Sequence, residues 1–181
     1  MTEQLVERIR KHDQKAMSQL YNMYVGMLSS VCYRYVPAES DAKDVLQNSF
    51  VKIFKSIPSF EYRGEKAFKG WMVRVVVNEA LNYLKEQRKF SFVEKYDSTI
   101  LHISNEEDLD TEYISPDELH QIVSELPDGY RMVLNLFVFE GCSHKKIAEM
   151  LGIKEATSAS QLYHAKQLLA RKIKKIMKGK Q

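Results

Sequence analysis

Cysteine is scarce in this chain. Its two cysteines, Cys32 and Cys142, lie far apart and neither sits in a CxxC pair. That argues against a disulfide framework, and each thiol is expected to be a small buried hydrophobe. The five histidines, His12, His102, His120, His144 and His164, are scattered, with no HExxH and no paired metal spacing. No metal and no cofactor are therefore expected. The chain also lacks a glycine-rich phosphate loop, a GxSxG elbow and a carboxylate pair in a recognisable frame, so it is not read as an enzyme. No apolar run approaches the roughly 20 residues of a membrane span. The charged N-terminus has no apolar h-region of a secretory signal. The expectation is a cytoplasmic protein with no small-molecule substrate and no membrane insertion.

The 181 residues are 44% apolar and 28% charged, enough for one ordinary domain or two small ones. The formal net charge of +3 conceals a segregation. Residues 1–88 carry 14 basic and 10 acidic side chains, residues 89–118 carry 2 and 9, and residues 119–181 carry 11 and 5. Two basic blocks thus flank an acidic segment. Basic blocks suggest a nucleic acid partner, and the acidic stretch reads as a solvated linker.

Strand periodicity is hard to find, and the fold class expected is all-α. Leu5, Val6 and Ile9 form a short stripe. Asp13 can cap a longer helix with Met17, Leu20, Tyr21, Tyr24, Leu28, Val31 and Tyr35 at helical spacing, ended by Pro37. Ser40 is the expected cap of the next helix, with Leu46, Phe50, Ile53, Phe54 and Ile57 inward and Pro58 closing it. A third long helix is expected from about Ala67 to Arg88. Residues 89–114 lose the periodicity, and ISNEEDLDTEY reads as linker. A new start follows at SPDE, with Ser115 as N-cap, Pro116 at the first helical position and Glu118 completing a capping box. Pro127 breaks this helix, and Asp128 is the expected cap of the next, with Val133, Leu136 and Phe137 inward. Gly141 ends it and Ser143 caps a further short helix. Two small helical domains joined by an acidic linker result, with boundaries at 1–88, 89–114 and 115–181.

The last two helices, broken at Leu151-Gly152-Ile153, have the outline of a helix-turn-helix. Ala148 and Gly152 fit the small residue and the turn such a motif needs. Ile147, Leu151, Ile153 and Leu162 would form its inner face. A recognition helix from Glu155 to Lys172 would place Thr157, Ser158, Ser160 and Gln161 near its N-terminal end, which usually reaches base edges. Those side chains can hydrogen-bond to bases but lack the bidentate arginine–guanine contact. Lys145, Lys146, Lys166, Arg171 and Lys172 would bind phosphates, which position without specifying. A weak, salt-sensitive DNA binder that needs help is the reading.

The first block supplies that help. In FEYRGEKAFKGWMVRVVVNEALNYLKEQRK, Phe60, Tyr62, Phe68 and Trp71 interleave with Arg63, Lys66, Lys69 and Arg74. Bases drawn from a duplex can stack on aromatic faces while cations follow the backbone. Asn78 lies one helical turn beyond Arg74, and its amide can read a base edge. Core packing is the competing role for these aromatics, above all for Phe60 and Phe68.

Three stretches in this order resemble bacterial RNA polymerase sigma factors of the short, extracytoplasmic-function group of the sigma-70 family. DAKDVLQNSFVKIF, from Asp41 to Phe54, is similar to their D-A-E-D-L-x-Q-E-x-F segment. FEYRGEKAFKGWMVRVVVN is similar to their F-x-G-x-x-x-F-x-x-W-L-x-x-I-A-x-N pattern. YRMVLNLFVFEGCSHKKIAEMLGIKEATSASQLYHAK is similar to their region 4. The resemblance spans about residues 5–88 as region 2 and 115–176 as region 4. It implies a non-catalytic subunit that binds core RNA polymerase, directs promoter recognition and helps open DNA.

The same resemblance implies roles residue by residue. Asp44, Gln47 and Asn48 fall where region 2 docks on the β′ clamp helices. Arg63, Lys66, Phe68, Lys69, Trp71, Arg74 and Asn78 are the expected −10 contacts, and Arg63 to Phe68 match the loop that receives a flipped base. Lys145, Thr157, Ser158, Ser160, Gln161, His164 and Lys166 are the expected −35 contacts. The implied partners are core polymerase, through the β′ clamp helices and the β flap, promoter DNA and an anti-sigma factor. The chain also departs from the pattern. Arg74 and Val75 stand where housekeeping sigma factors carry paired tryptophans. Lys146, Ser158, Ala159, Gln161 and His164 replace usual region 4 residues, and Lys43 and Asn48 replace usual glutamates. The −35 contact set is therefore expected to be unusual. A stand-alone helix-turn-helix regulator and a helical interaction adaptor are the alternative readings.

Overall fold

The computed structural model describes residues 3–87 and 114–179. Among these residues the regular structure is helical throughout: α1 (Glu3–Arg10), α2 (Gln14–Tyr35), α3 (Glu39–Ser56), a 3-10 turn at Ile57–Ser59, α4 (Glu65–Glu86), α5 (Pro116–Ser124), α6 (Asp128–Val138), α7 (His144–Leu151) and α8 (Glu155–Gly179). The chain divides into two compact units, Met1–Gln87 and Arg88–Gln181. The expected linker, 89–114, lies outside the described residues but for Ile114.

In the first unit α2, α3 and α4 pack on one another, and α1 lies against α2 and the 3-10 turn. The stripes read from sequence supply the core: Leu5, Val6 and Ile9 from α1, Leu20, Tyr24, Leu28, Val31 and Tyr35 from α2, Phe50, Ile53 and Ile57 from α3 and its turn. Asp13 caps α2 as expected, accepting from the backbone N–H groups of Lys15 and Ala16 at 2.9 and 3.2 Å. Ser40 does not cap α3. Ala38, extended after Pro37, occupies the cap, and Glu39 and Asp41 fill the first turn, where the helix dipole favours negative charge. Tyr21, expected inward, is exposed, its ring 4.7 Å from that of Phe50. Cys32 is buried, and burial pushes its thiol up to about 11, which keeps it protonated and unreactive.

The second unit is the four-helix assembly expected, with α8 packed on α5, α6 and α7. The capping box at Ser115 and Glu118 is formed in both directions. Asp128 is the first residue of α6 rather than its cap, which falls on Pro127, and its carboxylate is bound by the buried Arg131 guanidinium. Arg131 also donates to the carbonyls of Ser124 and Leu126, at 3.0 and 2.8 Å, and so holds the α5–α6 corner. Phe137, expected inward, is partly exposed, and its ring stacks on His144 at 4.9 Å.

Candidate nucleic-acid interface

The first unit carries an open groove of about 600 Å³ between the 3-10 turn and the N-terminal half of α4. Its lining includes Phe60, Arg63, Lys66, Gly70, Trp71 and Arg74. Helical spacing explains the row: positions 67, 70, 71 and 74 recur at three and four residues and share one face. The chain enters α4 through Gly64, whose φ of 96° lies where side chains other than glycine are strained. The rings are locked together before any ligand arrives. Phe60 lies 4.5 Å from Trp71, tilted by 31°, and meets Phe68 edge-on at 5.3 Å.

Four of the seven expected −10 residues, Arg63, Lys66, Trp71 and Arg74, meet in this groove. Phe68 must be corrected. It is fully buried, its ring packed among Tyr24, Phe60, Tyr62 and Trp71, and it cannot present a face to a base. Phe68 is the floor on which the half-buried Phe60 and Trp71 rings rest. Lys69 points elsewhere, paired with Glu65 at 2.8 Å and lying 5.9 Å over the Tyr24 ring. The Lys69 ammonium holds the Glu65 carboxyl below its ordinary range. Asn78 is exposed one turn beyond Arg74, outside the groove lining. Phe60 also lines the groove although it was not among the expected −10 contacts. The aromatic–basic interleaving was its only signal.

Asp44, Gln47 and Asn48 are all exposed on α3, opposite buried Val45, Leu46, Ser49 and Phe50. Two carbonyl-bearing amides and a carboxylate there form a polar surface turned away from the core.

In the second unit Ser143 caps α7 through the Lys146 N–H, and Gly152 ends it in the left-handed region, φ 69° and ψ 36°. A Cβ at Gly152 would meet nothing within 4 Å, so the backbone angle, not crowding, selects glycine. The Gly152 and Ile153 N–H groups both return to the Ala148 carbonyl, closing the turn of the helix-turn-helix.

The outward face at the start of α8 differs from the expected reading face. Ala156, Ala159, Tyr163 and Lys166 are exposed, with Ser160 partly so. Ser158 must be corrected: it is fully buried and its Oγ lies 3.0 Å from His144 Nδ1. Gln161 is also corrected, being 4% exposed and turned into the bundle. Both sit on the side of α8 that carries Leu162 and Ala165, and a base edge cannot reach them. His164 is stacked on the buried Tyr130 ring at 5.9 Å. Thr157 is partly exposed, and Lys145 is exposed on α7. Tyr163, 54% exposed, was missed, because an aromatic at that spacing reads as core.

Among the described residues no group of three or more His, Cys, Asp and Glu side chains could hold a metal ion, and no helix is long and apolar enough to cross a membrane.

The family models for sigma-70 region 2 and sigma-70 region 4 match residues 20–90 and 117–169. An ECF RNA polymerase sigma-E factor of Salmonella typhimurium (strain LT2) is 34% identical over 188 residues, covering 96% of this chain and 95% of the relative. This chain belongs to the sigma-70 family of RNA polymerase sigma factors, in its extracytoplasmic-function group. The sigma-E factor of Escherichia coli K12 is similar at 33% over the same extent. The sigma factor RpoE of Bartonella quintana, solved in complex with the anti-sigma factor NepR, shares the fold at 20% identity and a TM-score of 0.52, over 88% of this chain and 98% of that one. In sigma-factor terms the aromatic groove lies in region 2 and the helix-turn-helix in region 4. Helix α1 precedes the part that the region 2 model matches.

Proposed function

We propose that this sigma factor binds core RNA polymerase through the Asp44, Gln47 and Asn48 face of α3 and that its region 2 groove captures unpaired bases of the −10 element. The outward face of α8 then meets the −35 duplex through Thr157, Ser160, Tyr163 and Lys166, with Lys145 on a phosphate. The observation that carries this reading is the groove: preset Phe60 and Trp71 rings beside the cations of Arg63, Lys66 and Arg74. Stacking on an aromatic contributes roughly 1–3 kcal/mol per base, and it is sequence-tolerant. Cations beside the rings hold the phosphates on either side of a flipped nucleotide. Neither contact needs a catalytic group, and the nucleotide chemistry belongs to the polymerase.

The arginine-poor face of α8 fits this division of labour. Two modest contacts on one tether raise the effective concentration at the second site, so the region 4 contact need not be strong alone. Work in the cytoplasm, where DNA and polymerase reside, and restraint by an anti-sigma factor follow as proposals from the family membership.

The test is a pull-down of core polymerase with the full chain, followed by run-off transcription. The chain is expected to retain core polymerase and to direct transcripts from discrete starts. Asp44→Arg should weaken core binding about tenfold, because a carboxylate gives way to the opposite charge at an interface. A chain that fails to bind core polymerase would sink the proposal, and unchanged affinity of the Asp44 variant would move the docking surface elsewhere.

A further inference from the structure

Arg10, the last residue of α1, reaches across the first unit to the loop that walls the groove. Its Nη2 donates to the Phe60 carbonyl at 2.5 Å, and its Nη1 is bound by the Glu7 carboxylate. The guanidinium is thus fixed at one end by its own helix. That helix is in turn fixed by three buried side chains, Leu5, Val6 and Ile9. Phe60 is held from both sides of its backbone, since its N–H donates to the Ile57 carbonyl at 3.1 Å. The chain from Phe60 to Gly64 carries no regular structure, so its position depends on such ties. A charge-assisted hydrogen bond in a partly buried place is the strongest of the available kinds.

We propose that Arg10 is a positioning residue for promoter opening: by holding the Phe60 carbonyl it sets the Phe60 ring against Trp71 and keeps the base-stacking surface formed before DNA arrives. The inference rests on the −10 role given to the groove above. The ring it places touches Trp71 at 4.5 Å and Phe68 at 5.3 Å, so a loosened loop would be free to let Phe60 drift off both. A preformed surface spends less of the stacking energy on ordering itself, which is where the rate of opening would register. The sigma factor's base-capture unit accordingly begins in α1, ahead of the stretch matched to region 2.

Trp71 is the only tryptophan in the chain, so its emission reports on the groove directly. The experiment compares full-length wild type, Arg10→Ala, Arg10→Lys, Val31→Ala and Trp71→Ala. Acrylamide quenching is measured on the free chain. Permanganate reactivity is measured with holoenzyme on a duplex template whose start site has been mapped. Arg10→Ala should raise Trp71 quenching about twofold and slow opening about tenfold, the scale of one lost charge-assisted hydrogen bond. Transcription from a template with a preformed bubble and affinity for core polymerase should stay within about twofold. Arg10→Lys keeps a cationic donor and should open within about threefold of wild type. Val31→Ala separates positioning from stability, because Val31 is buried on α2, outside both α1 and the groove lining, so the variant loosens the core without loosening the helix that carries Arg10. The proposal is overturned if Arg10→Ala leaves quenching and opening unchanged, or if Val31→Ala reproduces both effects. Normal opening by Trp71→Ala would instead remove the groove reading itself, whereas a defect in Trp71→Ala with normal Arg10→Ala would remove only this inference.

Discussion

His144 Nδ1 lies 3.0 Å from the Oγ of Ser158, joining the first residue of α7 to a fully buried hydroxyl of α8. The two helices of the helix-turn-helix are therefore linked by a polar contact inside their packing, with Phe137 of α6 stacked on the same imidazole. A polar contact with one fully buried partner helps fix the crossing of the two helices as well as contributing stability.

Ser158→Ala should lower the unfolding free energy of region 4 by about 1–2 kcal/mol, because it leaves the imidazole nitrogen without its partner. Ser160→Ala, on the outward face, should change stability by less than about 0.5 kcal/mol and act on DNA binding instead. Thermal unfolding and duplex binding of the two variants check the split. Equal stability of both variants would contradict the placement of Ser158.

The outward position of Ala159 makes a gain-of-binding test possible. Ala159→Arg adds a guanidinium to the exposed start of α8, beside Tyr163 and Lys166. It should raise duplex affinity and steepen the salt dependence by about one charge. It should also change the preferred −35 sequence, since arginine can make the bidentate guanine contact that this face lacks. Tyr163→Ala should weaken the same binding. Fluorescence anisotropy across a salt series on a selected duplex library reads both.

The helices, their order and most of their ends were legible in the sequence because apolar spacing and capping chemistry act locally. Asp13, Ser115 and Ser143 cap where the pattern places them. Side-chain direction within a known helix was less legible. At the start of α8 the polarity is inverted, with alanines 156 and 159 outward and Ser158 and Gln161 inward, and small residues on both faces leave no periodic signal. Phe68 and Trp71 sit three residues apart on α4, yet Tyr24 of α2 and the 60–64 loop bury only the first. The Arg10–Phe60 tie spans 50 positions, and no local pattern announces a contact of that range.

Part of the acid sensitivity should be traceable to the cap of α2. Arg8 donates to Asp13 at 2.8 Å, and this bond, with the cap bond from Ala16, holds the carboxyl below its ordinary 3.8. Its contribution is complete above 3.8 and is lost as pH falls through the lowered value. Asp13→Asn keeps an acceptor for the cap but removes the charge. Wild type should therefore unfold at a higher temperature than Asp13→Asn at pH 7, and the gap should close as the pH drops below 3.8. A gap that is independent of pH would assign the effect to the cap hydrogen bonds alone.

The most direct test of the base-capture groove is permanganate reactivity of thymines upstream of a mapped start, on duplex DNA with core polymerase and this sigma factor. Unpaired thymines should appear only when the chain is present, and Trp71→Ala should reduce them about tenfold, on the scale of losing one stacked base, while core binding is retained. Opening that is equally strong with Trp71→Ala, or no opening with a holoenzyme that has assembled, would contradict the account.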